Sequence, residues 1–133
     1  MILNWKNIVI GFLITLVLYV AGASLGHISI LKGIIYIAAP LIGGFAVAYI
    51  NNAVYIDGLI NGGLASGMAG FAATLIIYGL EPVTTFGSYF GLLIAIIITQ
   101  AVMAFVIGAV LGLLGGILGI IVKGQGFKEE NLA

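Results

Sequence analysis

The chain has 133 residues, 63% of them hydrophobic and only 6% charged, with a mean hydropathy of +1.35. A water-soluble domain carries about 25% charged residues, so this chain lacks the groups to cover a soluble surface and reads as integral to a membrane. Its net charge of zero and its lack of Cys exclude a basic nucleic-acid face, disulfide frameworks, thiolate catalysis and Cys-ligated metals.

The predicted architecture is all-α, four transmembrane helices in one compact bundle, with no linker to divide it. The spans fall at about 8–25, 33–51, 58–80 and 88–122, and 123–133 is a polar C-terminal tail. Each approaches or exceeds the roughly 20 apolar residues that cross a bilayer. The first span follows Trp5, which suits an interfacial anchor, and Asn7, its predicted N-cap. Ala21-Gly22-Ala23 resembles a signal-cleavage site, but the apolar run before it is long enough to span. His27, the one His, sits at the far end of this helix as an interfacial polar residue.

The second span contains Pro40, which removes the bond to the Tyr36 carbonyl and predicts a kink. Its small residues pair as Ala39 with Gly43 and Gly44 with Ala48. Asp57 stands before the third span, where a carboxylate caps free amides. That span opens as DGLINGGLASGMAG. Gly58, Gly62, Ser66 and Gly70 recur every four residues, and Gly63 and Gly67 form a row beside them. Residues four apart share one helix face, and a flat face lets another backbone come close. Lipid supplies no hydrophobic drive between helices, so small-residue packing must supply it. The spacing leaves open whether the partner lies in the same chain or in another copy. A phosphate-binding loop is excluded, because no Lys follows the glycines and the context is a membrane helix.

Glu81 and Pro82 lie in a solvated connection before the last apolar region. That region, Tyr89 to Val122, would be about 51 Å long as a helix, against a hydrocarbon core of about 30 Å. Either it projects past the membrane on the side of the C-terminus or it bends. GLLGGILG, Gly112–Gly119, offers a bend at Gly115-Gly116. Gly108, Gly112 and Gly116 repeat the four-residue device. Thr99 and Gln100 are the intramembrane polar candidates, expected near the midplane. One reading makes Gln100 a hydrogen-bonded tie between helices; the other makes it part of a polar path. Lys128, Glu129 and Glu130 belong to the tail.

Pro40, Ile42, Gly43, Gly44, Phe45 and Tyr49, followed by Asn61, Gly62, Ser66 and Gly70, match a pattern of P-x-I-G-G-F and N-G-x-x-x-G-x-x-x-G, with Ser66 where the pattern has Gly. In this stretch the chain resembles a family of small archaeal membrane proteins of unknown function. The resemblance implies a four-helix membrane protein and carries no activity. A weaker echo lies within the chain: Thr15-Leu16-Val17-Leu18-Tyr19 is similar to Thr74-Leu75-Ile76-Ile77-Tyr78, a match that chance readily produces in an apolar chain.

Lys6, Lys123 and Lys128 fall on one side of a four-span bundle and Lys32 on the other. The positive-inside rule then places both termini in the cytoplasm of a multi-pass cell-membrane protein. No acidic residue lies mid-span, which argues against ion-coupled transport. No cofactor is implied, and paired intramembrane carboxylates are lacking, so an enzyme is not expected. The partners are the lipid bilayer and a homo-oligomer or larger membrane complex, not nucleic acid. Two functions remain: a structural or accessory protein, or a small homo-oligomeric channel or transporter with a path near Gln100.

Overall fold

The computed structural model describes residues 3–25, 29–51, 55–79 and 89–124. They form α1 (Trp5–Ser24), α2 (Ser29–Ile50), α3 (Tyr55–Gly79) and α4 (Phe90–Lys123). Among the described residues, four segments of 20, 21, 25 and 33 residues are long and apolar enough to cross a membrane. The chain is therefore all-α, a bundle of four long apolar helices. His27, Glu81, Pro82, Lys128, Glu129 and Glu130 lie outside the described residues.

The helix ends correct several expectations. α1 starts at Trp5, because Asn4 is extended and its side chain accepts from the Asn7 N–H at 3.5 Å. Asn4 is the cap, and Asn7 lies buried inside the helix. Counting apolar residues finds where hydrophobicity begins, whereas a helix begins where a side chain satisfies its first amides. α2 starts at Ser29, so Lys32 sits in its first turn. α3 starts at Tyr55, and Asp57 is a buried residue of its first turn rather than a residue preceding it. The position still sets a carboxylate against the positive end of the helix dipole.

α2 continues as helix through Pro40, and α4 through Gly115 and Gly116. α4 ends at Gly124, whose φ of 70° is open to glycine without strain. Its N–H bonds the carbonyls of Ile120 and Ile121, each at 3.1 Å.

Every pair of helices packs except α1 and α4, which hardly meet. α2 and α3 therefore form the middle of the bundle, with α1 and α4 on either side. α4 runs parallel to α2, with Gly115 against Leu41 and Gly119 against Phe45. It runs antiparallel to α3, with Gly112 against Gly62 and Ala104 against Gly70. One end of the bundle, here the terminal end, carries Trp5, Ile50, Tyr55 and Lys123; the other, the far end, carries Ser24, Ser29, Gly79 and Phe90.

This register locates the excess length of α4. Lys123 reaches the carbonyls of Tyr49 and Asn51, so α4 ends level with α2. The Gly70–Ala104 contact, followed to Gly79, brings α4 back to Ala95. Phe90 to Ile94 thus extend past α3 at the far end, not at the end that leads to the C-terminus.

The packing is inverted relative to a soluble domain. The buried apolar residues are mostly alanines: Ala39, Ala48, Ala65, Ala69, Ala73 and Ala101. Large residues such as Leu13, Val17, Ile34, Met103 and Val110 face outward. Two small clusters complete the core, Ile8 with Val47 and Ala65, and Tyr19 with Ala39 and Ala73. Small residues inside and large apolar residues outside are what helix association in lipid requires.

Candidate functional site

Glycines from three helices meet at one point in the terminal half of the bundle. A methyl carbon on Gly44 of α2 would overlap the Gly112 carbonyl oxygen of α4. One on Gly62 of α3 would lie 3.0 Å from the Gly44 carbonyl oxygen and 3.2 Å from that of Gly112. One on Gly112 would lie 2.6 Å from the Gly62 carbonyl oxygen. Real Cβ atoms do not occupy the positions at Gly44 and Gly112, and the one at Gly62 is tighter than ordinary contact, so glycine permits the approach.

The contacts continue along the α3–α4 seam. Methyls on Gly108 and Gly70 would lie 2.7 Å from the carbonyl oxygens of Ser66 and Ala104. One on Gly67 would lie 3.0 Å from the Phe105 carbonyl oxygen, and one on Gly63 would be 3.0 Å from Leu113 Cγ. Gly43 faces Thr15 Oγ1 of α1, and Gly115 faces the Leu41 carbonyl. Gly58 and Gly116 pack more loosely, at 3.3 Å from Ile120 Cδ1 and 3.4 Å from Leu59 Cα. All these contacts are made within one chain.

Polar groups tie the seam at defined points. Ser66 Oγ donates to the Pro40 carbonyl at 2.9 Å, joining α3 to α2. Pro40 itself is fully buried. Thr15 and Thr74 each donate to the carbonyl four residues back, of Gly11 at 2.8 Å and Gly70 at 2.9 Å.

The terminal end carries a buried polar layer of Asn7, Asn51, Asp57 and Asn61. Gly11 meets Ala65, so Asn7, one turn before Gly11, is level with Asn61. Lys123 closes this end. Its Nζ donates to the Tyr49 carbonyl at 2.8 Å and the Asn51 carbonyl at 3.2 Å, and lies 5.9 Å from the Tyr49 ring centroid. A cation there satisfies the last carbonyls of α2 and opposes the negative end of its dipole. The sequence marks Lys123 only as an orientation signal; its capping role depends on the parallel register of α2 and α4.

Towards the far end the glycine seam between α2 and α4 stops. There α2 presents Tyr36 and Ile37, and α4 presents Gln100, Met103, Ile107 and Leu111. A lateral groove of about 410 Å³ opens between them, floored by Gly70, Ala73 and Thr74 of α3. Tyr19 of α1, Tyr36 of α2 and Tyr78 of α3 converge on it. The rings of Tyr19 and Tyr36 have centroids 5.6 Å apart. Its volume lies within the range of small-molecule sites, about 300–1,000 Å³.

Thr99 and Gln100 line this groove, and both are exposed. Gln100 is level with Thr74, four residues beyond the Gly70–Ala104 contact, so it lies toward the far end rather than at the midplane. No described residue hydrogen-bonds its amide. Thr99 Oγ1 donates to the Ala95 carbonyl at 2.8 Å. An apolar count does not give the level of Gln100, because it cannot show that the surplus of α4 lies at its start.

The tyrosines had a signal in the sequence. GFLITLVLY, Gly11–Tyr19, and GFAATLIIY, Gly70–Tyr78, share Gly, Phe, Thr, Leu and Tyr at the same spacings. Their threonines make the same bond and both tyrosines reach the groove. Among the described residues, no three His, Asp or Glu side chains gather where a metal ion would be held.

A family model described as "Family of unknown function (DUF5518)" matches residues 5–122. No curated protein and no solved structure matches the chain. The match takes in all four helices and nearly their whole length, and the chain belongs to this family of unknown function, DUF5518.

Proposed function

We propose that this multi-pass membrane protein is non-enzymatic and non-conducting, with a structural or accessory role that rests on tight glycine packing. The observation that carries this reading is the meeting of Gly44, Gly62 and Gly112, where backbone fills the place a pore would need. The bilayer is its immediate partner, and both termini lie in the cytoplasm, with Lys6, Lys123 and Lys128 on that side. The reading assigns no cofactor.

One observation favours a homo-oligomeric channel or transporter. Thr99 and Gln100 are exposed on α4, where a neighbouring copy would meet them. Liposomes containing the purified protein separate the two readings. The structural reading expects ion and polar-solute flux at the protein-free baseline. A reproducible flux that Gln100→Leu abolishes in a folded protein would replace it with the channel.

A further inference from the structure

The far-end groove is polar at one end and apolar along the rest, and this gradient runs along the membrane normal. Lys32 sits in the first turn of α2, with its Nζ 5.9 Å from the centroid of the Tyr36 ring. Among the described residues it is the one charge at the far end. The Tyr36 ring that it meets lines the groove together with Tyr78, Tyr19 and the Gln100 amide. No described residue hydrogen-bonds that amide or the three tyrosine hydroxyls.

Deeper in the groove the lining becomes apolar, with Ile37, Met103, Ile107 and Leu111. In a bilayer an unsatisfied amide or hydroxyl is costly, so the upper part calls for an occupant with hydrogen-bonding oxygens. From Gln100 to Leu111 the groove follows α4 for eleven residues, about 16 Å. One leaflet of hydrocarbon is about half of the 30 Å core. The groove therefore has the length of a single lipid tail, and the polar groups stand where a lipid's headgroup and linkage would lie.

We propose that the groove binds one anionic membrane phospholipid. Its phosphate lies at Lys32, its linkage oxygens accept from the tyrosine hydroxyls and the Gln100 amide, and one tail runs down between α2 and α4 past Ile107 to Leu111. The cation selects an anionic headgroup, and the aromatic rings hold the interfacial level. The proposal rests on the reading of the bundle as membrane-embedded and does not depend on whether the protein conducts.

The test is native mass spectrometry of the full chain released from nanodiscs of equal phosphatidylglycerol and phosphatidylcholine, with circular dichroism and size exclusion as folding controls. The expected spectrum shows one phosphatidylglycerol retained per chain in clear preference to phosphatidylcholine. Lys32→Gln should lower that preference about fivefold, the scale of one lysine near an anionic surface. Ile37→Trp, at a side chain 56% exposed, should fill the groove and remove the retained lipid while the chain stays folded. Equal retention of both lipids by the unmodified protein would overturn the proposal, as would retention that Ile37→Trp leaves unchanged. Both results would leave the embedded bundle standing, whereas failure to enter nanodiscs would overturn the embedding itself.

Discussion

Gly44 of α2 and Gly112 of α4 approach so closely that a methyl carbon on the first would stand 2.8 Å from the Cα of the second and overlap its carbonyl oxygen. In lipid the reward for such an approach is dispersion between backbones, not expelled water. Gly62 enters the same point from α3, so one location fixes three helices. Where this seam ends, the groove begins.

Ser66 is the polar part of the seam. Ser66→Ala removes the 2.9 Å bond to the Pro40 carbonyl but keeps the close approach of α3 to α2 and α4. Interhelical bonds of this kind average about 0.6 kcal/mol, so the expected loss of unfolding free energy is about 0.5 to 1 kcal/mol. Reversible unfolding in mixed micelles measures it. A loss several times larger would show that the Pro40 carbonyl has no other means of solvation.

Gln100→Leu should leave stability within about 0.5 kcal/mol of the parent, because the exposed amide has no bond to a described residue to lose. The same unfolding measurement checks it. A loss of 2 kcal/mol would reveal a tie that the geometry does not contain.

The helix count was legible in the sequence, for a physical reason. Hydropathy reports what faces lipid, and four-residue spacing of small residues reports which faces allow contact. Gly62, Ser66 and Gly70 could be placed on one face without coordinates. Register was not legible. The levels of Gln100, Lys123 and the three groove tyrosines depend on how helices slide past one another, and that is fixed by particular contacts such as Gly70 with Ala104. The start of α1 was misplaced where a polar residue decides it, at Asn4.

Lys123→Gln should weaken the terminal end. The variant loses a cation that donates to two carbonyls at the end of α2. Helix-dipole and capping interactions at a partly exposed site contribute about 0.3 to 1 kcal/mol. Hydrogen exchange should therefore rise in the last turn of α2 while the middle of α3 is unchanged. Equal exchange in both proteins would remove Lys123 from the set of stabilising contacts.

Orientation is open to labelling, since the chain has no Cys of its own. Cysteines introduced at Asn4 and Asn131 should resist an impermeant thiol reagent in intact cells, and one at Ser88 should react. Labelling at both termini from outside would invert the orientation.

The measurement that bears most directly on the glycine seam is a glycine-to-alanine series read by unfolding free energy. Gly44→Ala, Gly112→Ala and Gly115→Ala each drive a methyl into backbone of another helix. Each should cost about 1 to 3 kcal/mol or more through overpacking. Gly33→Ala and Gly91→Ala place a methyl where nothing lies within 4 Å, so they should be neutral or slightly stabilising. Losses in that order are the predicted result. Equal stabilities across the series, or greater losses at Gly33 and Gly91 than at Gly44 and Gly112, would contradict a bundle closed by backbone contact at its glycines.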